Sequence, residues 1–245
     1  MLGLLHTAES HRARFDRVLA EFAPPNVGWV HSVKEVLLRQ ALDTFPVHSI
    51  AAGIEAALVK LQSQGARQVL CTCSSVGGMA EQVGRQMGLP TLRVDRPMAD
   101  AAIAQGRHIL VAACLPSTLG PTTQLLNEVA YAQDRRIEIE TLLMENAWPL
   151  FQAGDESGFV RHIAGIIPGI VLGTRPRPDA IVLAQASMAP AAELLRQLPV
   201  PVFASPRLGV AAALRRLTEA AAKIEGGKTD MAPSAAERID RGRTA

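Results

Sequence analysis

The sequence predicts an α/β fold in which parallel strands are covered by helices on both faces. Apolar runs of strand length alternate with segments of helical periodicity from the N-terminus to about residue 225. Such alternation is typical of parallel sheets, whose ligands bind beyond the carboxyl ends of the strands. Three predicted strands end in small polar residues, and this recurrence indicates two similar halves that share a cleft.

Each element follows from a local pattern. Short apolar runs bounded by Gly, Pro or polar residues predict strands over 2–5, 27–30, 69–71, 91–94, 108–115, 137–144, 179–183 and 200–204. Apolar residues at helical spacing predict helices over 9–22, 33–42, 50–64, 79–87, 98–105, 123–133, 148–167, 190–197 and 209–224. The polar segment 226–245 has no periodic apolar pattern and is expected to be disordered.

Composition narrows the class of protein. Of 245 residues, 48% are hydrophobic and 20% are charged, which is ordinary for a soluble globular chain. A net charge of +2 and only 4% aromatic residues argue against nucleic-acid and membrane partners. Three cysteines without framework spacing, and an N-terminus without signal-peptide features, predict free thiols in the cytoplasm.

The stretch from Gln68 to Gly78 carries the clearest chemical signal. Cys73 lies where its apolar strand becomes a loop, and Ser74 and Ser75 follow before a helix begins. A helix N-terminus offers unpaired N–H groups to an anion, so a thiol there indicates acid/base or nucleophilic work on a carboxylic acid. The alternative is that Cys73 is simply a small buried hydrophobic residue, as most free cysteines are.

No cofactor or metal is predicted. Gly77-Gly78 belongs to neither a Gly-x-Gly-x-x-Gly pattern nor a Gly-Lys-Ser/Thr pattern, so nucleotide binding has no support. His31, His108 and His162 lack the spacing of metal ligands relative to one another or to the cysteines.

Two motifs resemble the aspartate/glutamate/hydantoin racemase superfamily. Val69-Leu-Cys-Thr-Cys-Ser-Ser75 is similar to its first cysteine motif, and Ile181-Val-Leu-Ala-Gln-Ala-Ser-Met188 resembles the second. The order of strands and helices agrees over roughly residues 1–225. The resemblance implies two Rossmann-like α/β lobes related by a pseudo-twofold axis, with mostly parallel sheets and the active site between them.

The resemblance also implies the domain division and the chemistry. The first lobe would comprise residues 1–95 plus 203–225, and the second residues 96–202. Members of the superfamily work without a cofactor, often as homodimers. One cysteine removes the proton α to a carboxylate, and the other delivers a proton from the opposite face.

This sequence departs from that pattern at Gln185, which falls where the second cysteine belongs. Ala186-Ser187 follows it, whereas glutamate racemases have Thr-His there. Because a carboxamide cannot act as general acid or base, two-thiol racemisation through Cys73 and residue 185 is excluded. Neither Cys71 nor Cys114 aligns with the missing position, and Cys71 is expected in the core.

Three functions remain open at this point. The first is proton transfer α to a carboxylate with Cys73 as the only thiol acid/base. The second is decarboxylation of a malonate-like acid, since the arylmalonate decarboxylases of the superfamily also keep one cysteine, although the other one. The third is a binding protein that holds a small carboxylate without chemistry.

The resemblance assigns further residues to substrate binding. Ser74 and Ser75 match the polar pair that follows the family's cysteine, and Ser117 and Thr118 occupy the corresponding strand end of the second lobe. For all four, helix capping is the alternative. Gln185 could donate its amide N–H, and Ala186 and Ser187 their backbone N–H groups. His6 follows the first strand as a candidate substrate contact and proton partner, although a lone histidine is more often structural.

Overall fold

The computed structural model describes residues 1–42 and 47–229 and contains two four-stranded sheets. All pairings within them are parallel. The first sheet has the order β2-β1-β3-β4, and the second has the order β6-β5-β7-β8. The strands are β1 (Leu2–His6), β2 (Trp29–Val33), β3 (Gln68–Cys71), β4 (Thr91–Arg93), β5 (His108–Ala113), β6 (Glu138–Leu143), β7 (Ala180–Leu183) and β8 (Val202–Ala204).

Helices follow the strands in both lobes. They are α1 (Ser10–Phe22), α2 (Glu35–Leu42), α3 (Val47–Ser63), α4 (Ser74–Gln86), α5 (Arg96–Gln105), α6 (Pro116–Ala132), α7 (Trp148–Gln152), α8 (Glu156–Gly173), α9 (Ala189–Leu194) and α10 (Ser205–Thr229). The predicted α/β class with two parallel sheets is confirmed. Because the two strand orders are identical, β1 corresponds to β5 and β3 to β7, and these four strands are central.

Each sheet is covered on both faces. In the first sheet Leu4 and Leu70 pack with Phe15 of α1 and Leu214 of α10. Their neighbours in sequence face the opposite side, towards α3 and α4. The second sheet is covered by α5 and α6 on one face and by α8 and α9 on the other. This explains why the central strands β3, β5 and β7 read as continuous apolar runs rather than as alternating ones.

Several helices differ from their predicted bounds. α4 begins at Ser74 and α6 at Pro116, well before the predicted starts at residues 79 and 123. The predicted helix over 148–167 is two helices, because Gly154 adopts a positive φ of 78° and Asp155 then caps α8 by accepting from the Gly158 N–H. The predicted gap between α2 and α3 includes residues 43–46, which lie outside the described residues.

The prediction that the last strand of the chain belongs to the first lobe is wrong. Val202–Ala204 pairs with Ile181–Leu183, so β8 completes the second sheet. The helix after it does pack on the first lobe, through Val210, Ala213 and Leu214. The chain therefore crosses back between β8 and α10. α10 continues to Thr229 into the segment predicted to be disordered, and residues 230–245 lie outside the described part of the chain.

One buried hydroxyl gives a test of the packing on α6. Thr122 is fully buried, and its Oγ1 has no hydrogen-bond partner among the described residues. A buried unpaired hydroxyl costs free energy, so Thr122→Val should raise the free energy of unfolding by about 1 kcal/mol. The adjacent Thr123, whose hydroxyl donates to the Gly120 carbonyl, supplies the matched control. Thr123→Val should not stabilise the protein, and urea denaturation of both variants measures the difference. A destabilised Thr122→Val variant would contradict the assignment.

Candidate active site

A cavity of about 200 Å³ lies between the lobes at the carboxyl ends of the central strands. The segments that follow β1, β3, β5 and β7 all contribute to its wall. Two larger and more open depressions, of about 710 and 790 Å³, lie elsewhere on the surface. Arginines and Tyr131 dominate the first, and neither is lined by a cysteine. The smaller cavity therefore holds the chemically capable groups.

Cys73 and Gln185 occupy equivalent positions in the two lobes. Cys73 follows β3, precedes α4, and has φ −118° and ψ 121°. Gln185 follows β7, precedes a short 3₁₀ turn (Ala186–Met188), and has φ −118° and ψ 139°. Both side chains line the cavity. The pseudo-twofold arrangement thus sets a thiol in one lobe against a carboxamide in the other.

The orientation of the Gln185 amide is fixed by one hydrogen bond. The backbone N–H of Cys114 donates to Gln185 Oε1 at 2.6 Å. Because a backbone N–H can only donate, the atom facing it must be the oxygen. Nε2 has no hydrogen-bond partner among the described residues, although Gln185 is only 9% exposed and lines the cavity. The amide therefore offers N–H groups to a ligand.

The two remaining thiols lie outside the cavity. Cys71 and Cys114 are fully buried, and neither belongs to the cavity wall. Burial raises the pKa of Cys71 well above its usual range, and the neighbouring Cys73 raises it further. Burial alone raises the pKa of Cys114 to about 12. The expectation that Cys71 belongs to the core is confirmed, since its side chain packs in the hydrophobic cluster between the first sheet and helices α3 and α4.

The predicted polar residues come together at the starts of two long helices. Ser74 and Ser75 open α4, Ser117 and Thr118 lie in the first turn of α6, and all four line the cavity. Neither helix has a side-chain cap, so the capping alternative is not observed. The first N–H groups of α4 thus lack intrahelical partners and carry the positive end of the helix dipole. α6 offers fewer, because Pro116 has no N–H and the Thr118 N–H donates to the Leu115 carbonyl at 3.1 Å. Ala186 and Ser187 line the cavity beside Gln185.

A buried ion pair supports this arrangement from behind. Arg93 is 4% exposed and forms two hydrogen bonds with the fully buried Asp95, at 2.7 and 2.9 Å. Its Nη2 also donates to the carbonyls of Ser74, at 3.3 Å, and Pro121, at 3.4 Å. Burial lowers the pKa of Arg93, but Asp95 and Glu81 together raise it by more, so the guanidinium stays charged. Arg93 thereby connects the start of α4 to α6.

The glycines of the cysteine motif serve this contact. A Cβ on Gly77 would lie 2.8 Å from the Cβ of Arg93, which is closer than two non-bonded carbon atoms can approach. The glycine pair therefore allows α4 to lie against Arg93.

His6 does not contact the cavity, contrary to the expectation. It is the last residue of β1, is fully buried, and packs against Phe15. Burial, together with His31 and His11, lowers the pKa of His6 to about 3. The histidine in the cavity wall is His11 on α1, whose pKa is lowered to about 4 by burial and by Arg14. The sequence marked His11 only as part of a helix.

An apolar wall completes the cavity. Leu38, Leu115, Trp148 and Phe151 line one side, and the rings of Trp148 and Phe151 stack with centroids 4.9 Å apart. No Asp, Glu, Lys or Arg belongs to the wall that the described residues form. The sequence showed Trp148 and Phe151 as helix residues, and nothing local indicated that they reach the cleft.

Within residues 1–42 and 47–229, no group of three or more His, Cys, Asp or Glu side chains is placed to hold a metal ion. No helix there combines the length and the apolar character needed to cross a bilayer.

The architecture matches that of known enzymes. No protein-family model and no curated protein sequence matches the chain. Among solved structures, the aspartate racemase of Picrophilus torridus superposes with a TM-score of 0.65 and 14% identity, over 89% of this chain and 94% of that one. Allantoin racemase from Klebsiella pneumoniae gives 0.58 and 17%, over 90% and 87%. A variant of arylmalonate decarboxylase gives 0.57 and 16%, over 87% and 91%.

The chain has the fold of the aspartate/glutamate racemase superfamily. In this racemase fold the cavity lies between the lobes, as the resemblance of the two motifs implies. The structure brings together eight of the nine residues predicted for the site: Cys73, Ser74, Ser75, Ser117, Thr118, Gln185, Ala186 and Ser187.

The three thiols should differ sharply in reactivity. Iodoacetamide should modify the native protein once, at Cys73, because Cys71 and Cys114 are buried and their raised pKa values keep them protonated at mildly alkaline pH. Intact-mass and peptide mass spectrometry give the count and the position. Cys73→Ala should leave the native protein unmodified, whereas urea-unfolded wild type should take up label at all three cysteines. Labelling of Cys71 or Cys114 in the folded protein would contradict the assignment.

Proposed function

We propose that the protein is a cofactor-independent enzyme that transfers a proton at the carbon α to a carboxylate, with Cys73 as its only thiol acid/base. The observation that carries this proposal is the placement of Cys73 and the Gln185 amide at equivalent positions of one cavity. A thiol can exchange a proton, whereas an amide can only hold a ligand in place.

The polar wall supplies the groups that a carboxylate needs. The start of α4 offers the N–H groups of Ser74 and Ser75, and the start of α6 offers that of Ser117. The hydroxyls of Ser75, Ser117 and Thr118 add O–H donors. Gln185 Nε2 and the backbone at Ala186 and Ser187 extend this set in the second lobe. Donors fixed before the reaction stabilise negative charge as it spreads onto the carboxylate oxygens of an enediolate.

The single thiol limits the stereochemistry. Inversion through two thiols needs an acid on each face of the α-carbon, and Gln185 cannot provide one. Cys73 can remove a proton and return it on the same face. It can also protonate a carbanion that another step has generated. A one-base isomerisation, in which Cys73 takes and returns the proton on one face, is therefore the leading reaction class, and inversion of the α-carbon through two thiols is not.

The wall also limits the substrate. The ammonium group of an amino acid would find no carboxylate partner among the described wall residues, while an apolar substituent would pack against Leu38, Trp148 and Phe151. We therefore expect a small carboxylate with an uncharged, apolar group at the α-carbon.

The apolar wall favours one second candidate, decarboxylation of a malonate-like acid. A carboxylate held against Leu115, Trp148 and Phe151 loses hydration, which favours its departure as carbon dioxide. Gln185 and the helix starts would then hold the remaining enediolate, and Cys73 would protonate it on one face. A variant of arylmalonate decarboxylase shares the fold, which supports this candidate.

The proposal also covers the binding partner, the cellular location and the oligomeric state of the protein. Its partner is a small carboxylate substrate rather than nucleic acid, in keeping with the net charge of +2. The three free thiols favour the reducing cytoplasm. A homodimeric state rests on the racemase resemblance alone.

The proposal is tested by proton NMR in deuterium oxide. The panel comprises aspartate, glutamate, hydantoins, and mono- and disubstituted malonates and arylacetates, with wild type beside Cys73→Ala. We expect exchange at the α-position of an apolar-substituted carboxylate without inversion, lost by about a hundredfold or more in the variant. Release of carbon dioxide would move the assignment to the decarboxylase. Binding detected by thermal shift, without turnover of any compound, would leave a carboxylate-binding protein.

Gln185→Glu tests the proposed role of the amide. One glutamate oxygen can still accept from the Cys114 N–H, so the fold should be kept. The other oxygen brings negative charge into the cavity and should weaken carboxylate binding by about tenfold or more. Thermal shift against the bound acid measures this loss, with Gln197→Glu, at an exposed position, as the charge-matched control. If Gln185→Glu binds the acid with unchanged affinity, Gln185 does not contact the bound carboxylate.

A further inference from the structure

A chain of short hydrogen bonds leads from the cavity wall to the surface of the first lobe. Thr72, which lines the cavity beside Cys73, lies with Oγ1 2.8 Å from His6 Nδ1. His6 Nε2 lies 2.8 Å from His31 Nδ1, and His31 Nε2 lies 2.9 Å from Asp16 Oδ1. The Asp16 side chain is 43% exposed and ends the chain in solvent.

The chemistry of the four groups gives the chain one direction. Partial burial raises the pKa of Asp16, but the hydrogen bond from Trp29 and the contact with His31 lower it by more, so its carboxylate accepts. His31 therefore donates through Nε2, and its Nδ1 is left to accept from His6 Nε2. His6 Nδ1 then accepts from the Thr72 hydroxyl. Every donor in the neutral chain points away from the cavity.

We propose that Thr72, His6, His31 and Asp16 form a proton relay that connects the Cys73 cavity with solvent. The proposal rests on the proposed function, because it supplies the exchange path that a one-thiol site lacks. If these hydrogen bonds only held β1, β2 and α1 together, they would not need to begin at Thr72 in the cavity wall. They would also not need to end at the exposed carboxylate of Asp16.

The transfer balances without any further reactant. A proton released in the cavity binds to Thr72 Oγ1, whose own O–H proton passes to His6 Nδ1. The proton on His6 Nε2 passes to His31 Nδ1. Thr72 and His6 are neutral before and after, and His31 is left as an imidazolium beside the Asp16 carboxylate. That proton then leaves to Asp16 or water, and the reverse sequence delivers one.

The surroundings of His6 favour transfer of a proton through its ring over protonation of the ring to an imidazolium. His31 faces it from β2, and His11, Arg12 and Asp16 face it from α1; the first three disfavour a positive charge there, as does burial, and only Asp16 favours it. A concerted shift leaves the charge on His31, whose Nε2 contacts Asp16 directly. Thr72 has two other contacts, the Leu5 carbonyl at 3.3 Å and His11 Nδ1 at 3.5 Å, and both are longer than its contact with His6.

The first test needs no substrate. In 15N-labelled protein, NMR should show His6 and His31 as Nε2–H tautomers, with a coupling across the hydrogen bond from His6 Nε2 to His31 Nδ1. Asp16→Asn should shift the tautomer equilibrium of His6, two links away. Glu21→Gln, which also replaces a carboxylate by an amide at an exposed position on α1, should not shift the His6 tautomer equilibrium. An Nδ1–H tautomer at His6, or a His6 spectrum that ignores Asp16→Asn, would overturn the relay.

The second test uses a compound that exchanges its α-proton with wild type. Thr72→Val and Asp16→Asn should each slow the appearance of solvent deuterium by about tenfold with little change in KM, and Thr72→Ser should restore most of the rate. If Thr72→Val and Asp16→Asn both exchange at the rate of wild type, the relay is overturned and the proposed function stands. If wild type exchanges no compound of the panel, the proposed function is overturned, while the histidine spectra still decide the relay. Asp16→Asn, at the surface, keeps the test valid should Thr72→Val fold poorly.

Discussion

The buried guanidinium of Arg93 is the contact on which the geometry of the cavity depends. It pairs with Asp95 and reaches the carbonyls of Ser74 and Pro121, which belong to helices of different lobes. A buried ion pair adds little net stability, because desolvation offsets the attraction, but it tolerates no arrangement that leaves one charge unpaired. The pair therefore favours the one docking of the lobes in which α4 and α6 begin at the same cavity.

The architecture was predictable where local pattern decides it, and less so where pairing decides it. Strands such as β5 are apolar runs flanked by polar residues, and they were placed correctly. β8 was assigned to the wrong lobe because the choice of neighbour for Val202–Ala204 depends on its register with Ile181–Leu183, which no local pattern encodes. The starts of α4 and α6 were placed late because Ser, Gly and Pro disfavour helix interiors, although the first turn accepts them.

The site divides in the same way. Cys73 and Gln185 could be located because each follows an apolar strand and precedes a helix. His11, Leu38, Trp148 and Phe151 could not, because they reach the cavity from helices whose approach is fixed by tertiary packing. His6 was misplaced for a finer reason. Strand ends mark the level of the cleft, but the last residue of β1 still packs under α1, and Thr7 is the first residue of that segment in the wall.

The distribution of charge links the cavity to the proposed chemistry. Arg93, Asp95 and Asp16 all lie outside the wall, so a bound carboxylate would meet N–H and O–H dipoles and no full cation. A cation would stabilise the ground-state carboxylate strongly, and only interactions that strengthen in the transition state accelerate a reaction. Fixed dipoles gain as charge grows on the oxygens of an enediolate. The proposed relay would preserve this condition, because it would hold the positive charge on His31, behind Thr72, during the proposed reaction of the Cys73 thiol.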